Sequence, residues 1–191
     1  IIKQYRIFDI LTVPSGWLLS NMYLSMGIIY LNKIHISELK TYMMISSIGL
    51  AIHPIIHNVY IVKLKDKNKR ILKEYTTSLF LFSSVYLILF WTLREQIYTT
   101  LFPTFVFNSE IYFLTLIYTF SGIVWLSIAT LFRSLKQGRV IFYIYLTGSL
   151  LLVILFIFYP ASNVYESIFH HTVSSILSLL TGIYYILFKY E

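Results

Sequence analysis

The stretch VIFYIYLTGSLLLVILFIFYPASNVY, residues 140–165, contains no Asp, Glu, Lys or Arg. A helix rises 1.5 Å per residue, so about twenty such residues cross the ~30 Å hydrocarbon core of a bilayer. In lipid a helix is also the form in which one segment satisfies all its own backbone N–H and C=O groups. Within this stretch Pro160 stops a helix, and Ser162 and Asn163 offer N-cap oxygens for the next. The stretch therefore reads as one spanning helix, a tight turn and the start of another.

Working outward, five further stretches lack the four charged residue types: Ile10–Asn32, Thr41–Val62, Tyr75–Leu93, Ile111–Phe132 and Ser167–Phe188. The expectation is an all-α, polytopic membrane protein forming a single transmembrane domain over residues 1–191. Its six transmembrane helices are expected at about 10–32, 41–62, 75–93, 111–132, 140–160 and 164–188. The run Ile10–Leu31 is longer than the apolar part of a signal peptide and has no small-residue cleavage site after it, so it reads as a spanning helix. The first residue is Ile1 rather than Met, as expected of a processed product or a piece of a longer one.

Composition supports the class. Hydrophobic residues make up 58% of the chain and charged residues 12%, about half the usual share of a soluble domain. Cysteine is absent, which excludes disulfide frameworks, thiolate metal sites and cysteine nucleophiles. The net charge of +7 does not point to nucleic acid, because the basic residues lie between apolar runs rather than along one face. They act as topology signals instead.

With the N-terminus inside, the inner side holds Lys3, Arg6, Lys63, Lys65, Lys67, Lys69, Arg70, Lys73, Arg133, Lys136, Arg139 and Lys189, and the outer side holds Lys33, Lys40 and Arg94. Twelve against three predicts that both termini are cytoplasmic. The run Lys63–Glu74 is a charged cytoplasmic hairpin that anionic lipid would attract. The segment Glu95–Glu110 is an outer loop lying in the interface, and the seventeen tyrosines are expected chiefly as interfacial anchors. The implied location is an integral, multi-pass protein of a plasma membrane or an organelle inner membrane, with the lipid bilayer as its first partner.

An ionisable side chain inside a membrane is a functional hypothesis by default. The spanning helices carry four histidines: His53 and His57, four apart and hence on one face, and His170 and His171 in the outer part of the last helix. His35 lies in the first outer loop. Neutral imidazole ligates metals and haem b. With Ser37 as the N-cap of the second helix, His53 lies sixteen residues below it and His170 seven below Asn163. That offset is roughly 13 Å of depth and disfavours a haem held by one histidine from each helix. A zinc protease helix would need a glutamate that His53-Pro54-Ile55-Ile56-His57 lacks. No metal site is expected.

Histidine can also serve a serine nucleophile by taking its proton as acyl transfer begins. On the fourth helix Ser121-Gly122 lies near mid-membrane. On the sixth, His171 heads a stripe of small residues, Ser174, Ser178 and Gly182, along which another helix can approach closely. If the fourth helix is that partner, Ser121 and His171 meet.

This order of features resembles the rhomboid family of intramembrane serine proteases. That family has Gly-x-Ser-Gly on helix four and Ala-His-x-x-Gly-x-x-x-Gly on helix six. Here Thr119-Phe120-Ser121-Gly122 keeps the serine and its following glycine, and His171 keeps the base, while three glycines and an alanine are replaced. Trp125 stands where the family has a tyrosine packed on the catalytic histidine. The family's His-x-x-x-Asn on helix two, which donates to the oxyanion, is matched by His53, with His57 at the asparagine position. The resemblance implies a protease that cleaves transmembrane segments of other membrane proteins. Ser121 would be the nucleophile and His171 the general base, while His53, the Ser121 amide and His57 would serve the oxyanion.

The competing expectation is a non-catalytic subunit of a respiratory or electron-transfer membrane complex, beside neighbouring membrane subunits. Its histidines, His53, His57, His170 and His171, would hold haem b or line a quinone or proton path. The absence of cysteine makes the expected topology directly testable. A cysteine introduced at Lys67 is expected to react with a membrane-impermeant maleimide only from the cytoplasmic face, and one at Gln96 only from the opposite face. Labelling of both from one face would reject the single crossing expected between them.

Overall fold

A computed structural model describes residues 2–64 and 69–188 and is all-helical over them. The charged hairpin expected over Lys63–Glu74 lies partly outside the described residues. In chain order the helices are α1 (Ile2–Tyr30), α2 (Lys33–Leu50), α3 (Ile52–Leu64), α4 (Lys69–Thr92), α5 (Arg94–Leu101), α6 (Ser109–Ser134), α7 (Gly138–Phe158) and α8 (Val164–Phe188). Five segments are long and apolar enough to cross a membrane: Lys33–Tyr60, Lys73–Thr92, Ser109–Ser134, Gly138–Phe158 and Val164–Phe188. In α1 the apolar stretch among the described residues is the shorter Ile10–Leu19.

The caps explain most of the boundaries. Asn32 accepts the His35 amide at 2.9 Å and starts α2 earlier than expected. Ser37 is therefore not a cap; it lies in the first turns of α2 and donates its hydroxyl to the Lys33 carbonyl. Asn108 accepts the amides of Glu110 and Ile111 to open α6, and Asn163 accepts that of Glu166 to open α8. The expected second helix is broken in two at Ala51, because Pro54 has no N–H to give the Leu50 carbonyl and its ring crowds that turn.

Contacts fix the direction of each helix. Side by side with α6 run α2–α3, through Tyr42 with Asn108 and His53 with Thr130, and α8, through Thr172 with Leu114 and Ser175 with Ser121. Opposed to α6 runs α4, whose Phe90 carbonyl accepts the Tyr112 hydroxyl while Trp91 meets Phe113. In turn α7 opposes α8, pairing Thr147 with Thr181 and Phe156 with His170. Finally α1 follows α7 in the same sense, Phe8 against Phe142 and Leu19 against Gly148. Helix α6 is the hub and packs against α2, α3, α4, α7 and α8.

The loop expected at the interface is folded onto the bundle. Helix α5 docks Tyr98, fully buried, against Tyr42 at 5.0 Å between ring centroids, and its hydroxyl lies 3.2 Å from that of Thr41. Several tyrosines expected as interfacial anchors are likewise core residues: Tyr42, Tyr75, Tyr86 and Tyr112 are buried. A phenol can occupy the core of a helical bundle when its hydroxyl finds a carbonyl, as Tyr86 does at Ile45.

Small residues set the closest approaches. A Cβ on Gly148 would collide with the Ser178 hydroxyl and lie 2.9 Å from the Ser174 carbonyl, whereas one on Gly182 meets only the Ile128 side chain. A backbone carbonyl cannot swing aside as a side chain can. Gly148→Ala is therefore expected to destabilise the detergent-solubilised protein by about 1–3 kcal/mol, and Gly182→Ala by less. Thermal unfolding of both variants checks the order, and an equal loss would refute it.

Candidate functional site

The seam between α6 and α8 holds the residues singled out for hydrolysis. Ser121 is 3% exposed, Trp125 5% and His171 fully buried. Ser121 lies in the interior of α6, which runs unbroken from Ser109 to Ser134. Its amide is thus in the part of the helix where each N–H bonds the carbonyl four residues back.

The Ser121 hydroxyl has two neighbours at hydrogen-bond distance, the Tyr118 carbonyl at 2.9 Å and the Ser175 hydroxyl at 2.8 Å. A serine has one proton to give. Donated to the Tyr118 carbonyl, it leaves Ser175 as the donor to Ser121. Ser175 in turn accepts the Trp125 indole N–H at 3.1 Å. The result is an ordered chain from the Trp125 N–H through Ser175 and Ser121 to the Tyr118 carbonyl, crossing from α6 to α8 and back.

His171 lies four residues before Ser175, about 6 Å nearer the N-terminal end of α8. Its ring stands edge-on to Tyr118 at 6.0 Å and to Phe156 at 5.8 Å. Trp125, expected to pack on this histidine, packs edge-on against Tyr145 at 4.8 Å instead. The parallel run of α6 and α8 sets this register: Tyr118 lies beside His171, and Ser121 is level with Ser175, to which the Trp125 indole reaches back one turn.

The helix-two pair lies elsewhere. His53 Nε2 is 3.0 Å from the Thr130 hydroxyl, and its ring stacks on His57 at 5.7 Å with the planes 5° apart. Thr130 is nine residues beyond Ser121 on α6, a rise of about 13 Å. The pair therefore faces Thr130 and comes within electrostatic range of Arg133, rather than sharing a site with Ser121.

His170 is buried beside His171 on α8, edge-on to the same Phe156 ring at 5.2 Å. Glu166, one turn earlier, accepts the amide and hydroxyl of Ser162 at 2.7 and 2.9 Å, closing the turn before α8. His53 and His171 meet α6 at Thr130 and Tyr118, twelve residues or about 18 Å apart, too far for one iron to take a ligand from each pair. Among the described residues no three His, Cys, Asp or Glu side chains gather closely enough to hold a metal ion.

Two residues outside the expected set organise these sites: Ser175 and Thr130. Ser175 was open to a same-face argument, whereas Thr130, nine residues and half a turn round α6 from Ser121, was not. Ser175 follows His171 by four, as Trp125 follows Ser121, so each pair shares a helix face. The chain matches no protein-family model, no curated protein and no solved structure.

The hydrogen-bond chain predicts an order of losses. Ser175→Ala strands the Trp125 N–H and is expected to cost about 1–2 kcal/mol, near the upper end for interhelical hydrogen bonds in membranes. Ser121→Ala leaves Ser175 free to turn its proton to a carbonyl one turn back and is expected to cost less. Unfolding of the two variants in one detergent tests this, and a larger loss for Ser121→Ala would contradict the ordered chain.

Proposed function

We propose that the chain is a six-span integral membrane protein, both ends cytoplasmic, that works by binding and assembly rather than hydrolysis. It is a non-catalytic partner of neighbouring membrane subunits in a plasma membrane or organelle inner membrane. The observation that carries this reading is the commitment of the Ser121 hydroxyl. That hydroxyl lies 2.9 Å from the Tyr118 carbonyl and 2.8 Å from the Ser175 hydroxyl, inside an unbroken helix, with the His53–His57 pair about 13 Å further along. A nucleophile needs its proton directed at a base and an oxyanion pocket beside it. Counting α1 as the sixth span rests on its course alongside α7 in the same sense. Placing both ends inside rests on the twelve-to-three division of basic residues.

One observation favours the second reading, a rhomboid-like intramembrane serine protease. Ser121 and His171 occupy the same buried seam, a helical turn apart through Ser175. That reading requires His171 to replace Ser175 as the partner of Ser121 and α6 to open to water at that depth. A fluorophosphonate probe separates the two. The expected outcome is no labelling of the purified protein in detergent or in liposomes. Labelling that Ser121→Ala abolishes and Ser175→Ala preserves would overturn the non-catalytic reading and establish the protease.

A further inference from the structure

A cleft of about 530 Å³ opens between α1, α6 and α7, with Trp125 as the wall it shares with the α6–α8 seam. Its walls combine an aromatic and aliphatic surface, chiefly Val13, Trp17, Trp125 and Leu126, with Arg133 and Tyr145. Val13 and Trp17 are 71% and 54% exposed on α1, so the cleft opens sideways, toward lipid in a spanning bundle. Arg133 is in the last turn of α6, eight residues or about 12 Å from Trp125. The charge thus marks one end of the cleft, and the apolar wall leads from it toward the middle of the bundle.

The polar groups at that end are donors. The Arg133 guanidinium and the Tyr145 phenol lie within electrostatic range of one another. Among the described residues the one ion pair is Arg70 with Glu74, so Arg133 meets no carboxylate there. The turn that follows adds Lys136 and Arg139, the latter engaged with Tyr143. Two donors at the mouth and an apolar trough behind them suit a molecule with an anionic head and a hydrocarbon tail.

We propose that this cleft is a binding site for one anionic phospholipid of the inner leaflet. Its phosphate lies at Arg133 with Tyr145 beside it, and an acyl chain lies along Val13, Trp17 and Leu126. Arg133 is then a headgroup ligand as well as a topology signal. The site is independent of the chemistry at Ser121 and stands whichever reading of that serine holds.

Two of the three tryptophans, Trp17 and Trp125, line the cleft and the third, Trp91, lies on α4. A Trp91→Phe background therefore leaves both reporters in the site. In phosphatidylcholine vesicles, brominated phosphatidylglycerol is expected to quench their emission at about fivefold lower mole fraction than brominated phosphatidylcholine, the preference that one basic residue confers near an anionic surface. Arg133→Gln is expected to erase that preference and Lys136→Gln to keep it. Val13→Phe, which narrows the trough without changing charge, weakens quenching by the anionic lipid even if Arg133→Gln fails to fold. Excess inorganic phosphate leaves the quenching unchanged. Equal quenching by the two lipids, or equal effects of the Arg133 and Lys136 substitutions, or no effect of Val13→Phe, overturns the proposal. Displacement by inorganic phosphate also overturns it and assigns the site to a free anion.

Discussion

Close approach of helix backbones is the constraint on which this bundle depends. Lipid tails are as apolar as leucine, so helices in a membrane gain little by hiding leucines from lipid and associate instead through dense packing and hydrogen bonds. The chain meets that requirement with missing side chains. Gly148 lets α7 reach the Ser174–Ser178 face of α8, Gly49 receives Tyr86 and Thr119, and Gly122 receives Leu50. Each contact places α6 or α8 where the polar seam can form, so the positions of Ser121 and Ser175 follow from the glycines around them.

The seam is a second consequence of low dielectric surroundings. A hydroxyl in hydrocarbon must find a partner. Most hydroxyls here find it in their own helix, bonding the carbonyl three or four residues back, as Thr115, Thr119 and Ser127 do on α6. Ser121 and Ser175 add a bond between helices, and Trp125 completes it. Buried tyrosines follow the same logic, trading water for a carbonyl on a neighbouring helix.

Much of this was legible in the residues. Charge-free stretches located the spanning helices because a single Lys or Glu at mid-bilayer is costly enough to be rare. Asn163 and Pro160 marked the α7–α8 turn because capping and proline chemistry are local. The start of α2 was missed by several residues, since Ser37 and Asn32 are both good caps and only the packed structure chooses between them. Helix α5 was read as loop because its attachment depends on Tyr98 reaching Tyr42, a pairing distant in sequence. At the site, composition and order brought Ser121 and His171 to one seam. The register between α6 and α8 decides which residue of α8 stands level with Ser121. That register depends on the packing of Gly182 on Ile128 and Thr172 on Leu114, which no local pattern reveals.

The interruption at Ala51 gives the membrane-length segment Lys33–Tyr60 a mechanical character of its own. Pro54 removes one rung of the α-helical ladder and leaves the Leu50 carbonyl without its usual donor. A rod missing a rung bends more easily there than anywhere else along its length. The second half, α3, carries the stacked imidazoles and leans on α4 and α6, while the first half, α2, is clamped by Tyr42, Tyr86 and Tyr98. The joint therefore frees the direction of α3 from that of α2, so that the stacked imidazoles are aimed by the contacts of α3 with α4 and α6 rather than by the helix that precedes them.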